Sequence, residues 1–158
     1  MKTPKINEST PCKQEGGTMT IVVPIPPKPQ SRPRFTSRGG YAKAYEVQSM
    51  TAYKKAVALF VKQKIGNNLI SQKIALSINF YVTTPKYLRA RKKSLEELKN
   101  ERIWCDKRPD LDNYIKAILD ACNGILYLDD GQVVQITAQK VYSLEPRTEI
   151  QVEILEEK

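Results

Sequence analysis

Residues Lys107–Val134 read KRPDLDNYIKAILDACNGILYLDDGQVV, and the punctuation of this stretch sets the order of elements around it. Pro109 cannot sit inside a helix and biases Arg108 towards an extended conformation, so a helix begins just after it, with Asp110 or Asp112 as N-cap. Leu111, Ile115, Ile118, Leu119 and Cys122 then recur on one helical face. Asp112, Asn113, Lys116, Asp120 and Asn123 share the other side, and Asn123-Gly124 supplies the stop. Asp112 and Lys116 are four apart and therefore neighbours on that polar face.

The same stretch carries the chemistry. The chain has no histidine, which excludes an imidazole base or ligand, and Cys12, Cys105 and Cys122 are too scattered for a zinc site. Carboxylates and lysine remain, and carboxylates suit hard ions such as Mg²⁺ or Mn²⁺. Asp110 and Asp112 sit in the positive end of the helix dipole, which favours their ionised, metal-competent form; the plain alternative is that they are only caps. Asp129-Asp130-Gly131, taken alone, is a turn between two strands. A short return segment, Ile125 to Leu128, is expected to carry Asp130 back towards the helix start and complete a three-carboxylate cluster.

The ordered set Asp110-Leu111-Asp112-Asn113, Lys116, Asp120, Asn123-Gly124 and Asp129-Asp130-x-Gln132-Val133-Val134 resembles the RusA family of Holliday-junction resolvases, common in prophages. The Pro- and Arg-rich segment PIPPKPQSRPRF resembles the start of that family, so the resemblance covers most of residues 19–155. It implies a Mg²⁺-dependent endodeoxyribonuclease, with Mn²⁺ as a substitute, that resolves four-way junctions by paired symmetric nicks in recombination and repair. Asp110, Asp112 and Asp130 would be catalytic and bind the metal, and Lys116 would also be needed. Pro109 stands where a basic residue can precede the DLD motif, so that role passes to Arg108 or is absent. Cutting two strands of like polarity at symmetric positions needs two acid sites where one chain has one, so a two-fold homodimer is expected, in line with the resemblance. Its interface would be the Ile125–Leu128 run or part of the first helix.

Outside this stretch the chain of 158 residues, 41% hydrophobic, is enough for one domain and too little for two ordinary ones. Its formal charge of +9 points to a polyanionic partner. No apolar run approaches the ~20 residues that span a bilayer, so no membrane partner is expected. Residues 1–18 read as a disordered extension without the apolar core of a signal peptide, and the endonuclease domain as 19–158. Unpaired cysteines and no export signal place the protein in the cytoplasm.

Alternation predicts strands over Thr20–Ile25 and Ile74–Val82, and two more, as a hairpin, carrying Val134, Ile136, Ala138 and Ile150, Val152, Ile154. Val47, Met50, Tyr53, Val57, Phe60 and Val61 predict a helix from 46 to about 65, ending at Gly66-Asn67. Ser94-x-x-Glu97 reads as a capping box that opens a short helix. The sum is a small α+β domain with a mixed sheet and helices packed on one face. Two basic segments flank these elements: residues 28–43, with Arg32, Arg34, Arg38 and Lys43 interleaved with Phe35 and Tyr41, and residues 86–93, with Arg89, Arg91, Lys92 and Lys93. With Arg108 they are candidate DNA contacts that grip backbone rather than read bases, against the alternative of solvated loops. Tyr87 and Trp104 are candidates for stacking or for anchoring their loops. Two other functions fit the same residues: a metal nuclease acting on flap or fork DNA, and a basic nucleic-acid-binding module whose acids are only caps.

Overall fold

Ile74–Thr83 (β4) is the middle of the molecule because alternate residues along it, Ile74, Leu76, Ile78 and Phe80, are all buried. The computed structural model describes residues 17–157, apart from the side chain of Arg38. The main sheet has four strands in the order β1-β6-β4-β5, where β1 is Met19–Val23, β5 Val133–Ser143 and β6 Arg147–Ile154. β4 runs antiparallel to β6 and parallel to β5, so the sheet is mixed. A separate two-stranded ribbon pairs β2 (Arg34–Thr36) with β3 (Lys43–Tyr45).

Two helices close the core over one face. In α1 (Gln48–Ile65), Met50, Tyr53, Val57, Val61 and Ile65 fall at helical spacing and are buried. Its C-cap is Gly66 at φ 64, a backbone conformation that a Cβ would strain. In α4 (Leu111–Cys122) the fully hidden stripe is Tyr114, Ala117, Ile118, Ala121 and Cys122, with Leu111, Ile115 and Leu119 on its flanks. Two alanines in that stripe let α4 lie close to α1 and the sheet, and the Tyr114 ring packs on Phe80 with centroids 5.3 Å apart. Each fully buried large side chain here is worth about 1.5–3 kcal/mol, so this face carries the fold. Burial pushes the Cys122 thiol up to about 12, which leaves it an inert packing residue.

A smaller cluster of Leu98, Cys105 and Tyr142 continues the core under α2 (Lys86–Arg89) and α3 (Lys92–Lys99). The basic segment 86–93 is thus two short helices rather than a loop. Ser94 lies inside α3, whose N-cap is Arg91 without a side-chain cap bond, so the expected capping box is absent. The α+β class and mixed sheet stand as expected, and no helix among the described residues is long and apolar enough to cross a membrane. The expectation of disorder over residues 1–18 falls almost wholly outside the described residues.

The last two strands do not form a hairpin. β4 lies between β5 and β6, and Leu144–Pro146 passes across its end. Two strand spacings are only ~9.6 Å, within reach of three linking residues. Arg147 secures the crossing. Its guanidinium donates to Glu101 Oε1 and Oε2 at 2.6 and 2.9 Å, to Glu149 Oε1 at 2.9 Å and to the Glu145 carbonyl at 3.0 Å, and lies 3.8 Å over the Tyr81 ring.

Candidate active site

The segment before α4 is held in place by a residue distant in sequence. Lys140, on β5, donates from Nζ to the carbonyls of Lys107 and Pro109, both at 2.6 Å. That fixes the turn from which α4 springs, with Asp110 as its N-cap residue and Asp112 in its first turn. Asp110 makes no side-chain cap bond, and both carboxylates are exposed. A pair of acids without side-chain partners among the described residues, at the dipole's positive end, suits a hard cation better than a pair consumed in capping.

Asp130 is elsewhere. The chain leaves α4 through Asn123 and Gly124, whose N–H donates to the Tyr127 carbonyl at 2.8 Å, and the Tyr127 hydroxyl donates to the Leu119 carbonyl at 2.9 Å. This turn keeps Asp129 and Asp130 beside the C-terminal end of α4. Twelve residues at ~1.5 Å each separate that end from Asp110 by about 18 Å. Among the described residues no group of three or more His, Cys, Asp or Glu could hold a metal ion. The three-carboxylate cluster expected within one chain is therefore not formed, because four residues of tight turn cannot run back along a three-turn helix. Asp129 instead caps the 3₁₀ turn Asp130–Gln132, its carboxylate accepting from the Gly131 N–H while the Asp129 N–H donates to Gln132 Oε1 at 2.9 Å. Asp130 remains exposed.

Lys116 lies one turn beyond Asp112, exposed, and its Nζ is 3.6 Å from Asp120 Oδ1. The second oxygen of Asp120 accepts from Lys54 of α1 at 3.2 Å, and Lys54 also donates to Glu46 Oε1 at 2.6 Å. The Gln30 amide and then Lys54 hold the Glu46 carboxyl below the usual glutamate range. Lys54, Glu46 and Lys140 were not legible as site neighbours, since each is brought in by folding from a remote part of the chain.

One basic segment packs against β5, and the other is rooted at the α4 N-terminal end. The ribbon with Arg32, Arg34 and Lys43, all exposed, is rooted there through the Gln30 N–H, which donates to the Asn113 carbonyl at 2.9 Å. Strand register puts Arg34 and Thr36 on one ribbon face with Tyr45 and Lys43, and Phe35 with Ala44 on the other. Phe35 is 73% exposed and Tyr41 84%, so neither serves the core. Arg89, Arg91, Lys92 and Lys93 are exposed on α2 and α3, which Cys105 ties to β5 just ahead of the exposed Arg108. Tyr87 and Trp104 are both exposed large side chains, Tyr87 nearly half buried. Arg38 falls on a side chain outside the description.

The family model Endodeoxyribonuclease RusA matches residues 24–153. An uncharacterized protein of Bacillus subtilis (strain 168), YqaN, is 32% identical over 126 residues, covering 80% of this chain and 89% of its own length. With acids at the head of α4, a basic ribbon rooted beside them and a family match over most of its length, the chain belongs to the RusA endodeoxyribonuclease family, whose activity is on DNA junctions.

Proposed function

We propose that the protein is a Mg²⁺-dependent resolvase that cuts four-way junctions by paired nicks, working as a two-fold homodimer. The observation that carries this reading is the exposed pair Asp110 and Asp112, without a side-chain hydrogen bond or ion pair among the described residues, at the end of α4 where the basic ribbon is rooted. Mg²⁺ is commonly held by one or two carboxylates plus substrate phosphate oxygens, so this pair fits the ion, with Mn²⁺ as a substitute. When bound, the ion supplies charge stabilisation at the scissile phosphate and acidifies a water. Lys116, released from its long pairing with Asp120, neutralises charge on the same phosphate. The arginines and lysines of the ribbon, α2, α3 and Arg108 hold the arms by their phosphates, while Phe35, Tyr41, Tyr87 and Trp104 offer faces to unstacked bases.

Asp130 joins the site from the second protomer in this reading. β5 is an edge strand whose outer side, among the described residues, is covered only near its C-terminal end, where the Cys105 N–H donates to the Lys140 carbonyl and the Tyr142 N–H to that of Ile103. The run from Val133 to Gln139 has no charge, and Val134, Ile136 and Leu128 are exposed. A bare apolar edge of this kind needs a cover, and a second β5 laid antiparallel about a two-fold axis supplies one. That pairing runs each Asp130 towards the other chain's Lys140 and hence its α4 N-terminus, which completes two equivalent sites. Of the expected Ile125–Leu128 interface, Leu126 and Tyr127 are buried in the chain's own core and only Leu128 is exposed; the free strand edge is added to it.

A panel of labelled four-way, three-way, flap and linear DNA, with Mg²⁺ or chelator, tests the reading. Symmetric paired cuts confined to the four-way substrate and abolished by chelator are expected. Preferred cutting of flaps would move the assignment to a flap nuclease, and tight binding without any cut would leave a non-catalytic DNA-binding module.

A further inference from the structure

The ribbon 31–45 leaves the domain at Gln30 and returns at Glu46, and these two residues close its root: Gln30 Nε2 donates to Glu46 Oε1 at 2.8 Å. The outgoing end is tied to α4 by the Gln30 N–H on the Asn113 carbonyl. Among the described residues the returning end has no direct hydrogen bond to α4; Glu46 accepts from Thr51 of α1 at 3.2 Å. Lys54 bridges it, with Nζ 2.6 Å from Glu46 Oε1 and 3.2 Å from Asp120 Oδ2, and its side chain only 18% exposed. Asp120 in turn holds Lys116 on its other oxygen. The connections form a loop that starts on the first turn of α4, passes through the ribbon root and α1, and returns to the last turn of α4.

We infer that Lys54 is a positioning residue, which locks the DNA-gripping ribbon to the acid-bearing helix and sets how strongly Asp120 retains Lys116. The inference rests on the resolvase reading and adds to it a residue 56 positions before Asp110 that touches no DNA. Without the Lys54 ammonium, Glu46 keeps only the neutral donors Gln30 and Thr51 and loses its link to Asp120, so the returning end of the ribbon is no longer fixed against α4. Asp120 is then left with Lys116 as its single cation and draws it from the phosphate. The ribbon keeps its own cations, so grip survives while alignment is lost, and misplacement by about 1 Å costs up to ~100-fold in rate.

The test is single-turnover cleavage of a four-way junction with Mg²⁺ by wild type, Lys54→Met and Lys54→Arg, with junction affinity and thermal unfolding measured in parallel. The expected result for Lys54→Met is a cleavage rate constant lowered about tenfold or more with junction Kd within roughly twofold, because phosphate contacts set affinity. Lys54→Arg, which still reaches both carboxylates, should recover most of the rate. A Lys54→Met protein that cuts at the wild-type rate overturns the assignment. So does a rate loss shared equally by Lys54→Arg and matched by lower thermal stability in both, which is the mark of a purely structural residue. Wild type separates the two levels: if it cuts no junction, the resolvase reading fails and takes the role of Lys54 with it.

Discussion

Replacing Arg147 by methionine keeps the length of the side chain and removes its charge. The guanidinium makes three charge-assisted bonds, two to Glu101 and one to Glu149, and its side chain is 20% exposed against 25% and 24% for the two carboxylates. Hydrogen bonds to charged groups contribute about 1.5–3 kcal/mol each when desolvated. Exposure near one quarter lets water take over part of that, while loss of the contact with Tyr81 adds about 0.5–1 kcal/mol. The net expectation is a loss of about 2–3 kcal/mol, which for a chain of this size lowers Tm by roughly 5–10 °C. Urea unfolding read by circular dichroism and by the fluorescence of Trp104 gives the number. The variant should also lose acid sensitivity. Hydrogen bonds from Arg147, ahead of that from Ser143, hold Glu101 below its ordinary value near 4.5. This stabilisation is full above that value and is lost as pH falls through the depressed folded pKa, so the wild-type and variant curves should converge in acid. A loss below about 0.5 kcal/mol at neutral pH would refute the clamp and reduce it to ordinary surface pairs.

Two other outcomes follow from the surfaces. Replacing Arg32, Arg34 and Arg38 by alanine should flatten the log–log salt dependence of duplex-arm binding by up to ~0.9 per lost phosphate contact; an unchanged slope would return the ribbon to a solvated surface. Ile136→Lys, on the free half of β5, should shift the protein to monomer in light scattering while leaving its unfolding midpoint within about 0.5 kcal/mol per chain at matched monomer concentration; a persistent dimer would place the interface elsewhere.

The elements were legible where local chemistry alone decides them. Pro109 and Asn123-Gly124 bracket α4, Gly66 ends α1, and the alternation of Ile74 to Phe80 marks β4, because backbone sterics and one-sided burial act over a few residues. Strand order was not legible. Val134 to Ala138 and Ile150 to Ile154 look like partners with a turn between them, yet each pairs with β4, whose deeper burial takes the middle place. Ser94 had the spacing of a capping box, but α3 starts two residues earlier on its lysines. The acids were found by motif, and their separation was not, since the path from Cys122 to Asp130 is set by hydrogen bonds of Gly124 and Tyr127 that spacing does not encode. Lys54 and Lys140 had no signal at all, being ordinary basic residues until folding sets them against Asp120 and Pro109.

The claim on which the account turns is that each cutting site takes Asp110 and Asp112 from one protomer and Asp130 from the other. Asp112→Asn and Asp130→Asn proteins, each assayed alone on a labelled four-way junction and then after mixing under conditions that exchange subunits, test it directly. Alone, each should bind the junction and leave it uncut, because every site lacks one carboxylate. In the mixed dimer one site loses both carboxylates and the other regains all three, so cutting should return as single nicks without paired resolution. Full cleavage by either variant alone would remove that acid from the site, and a mixture that stays inactive despite proven subunit exchange would contradict the shared site.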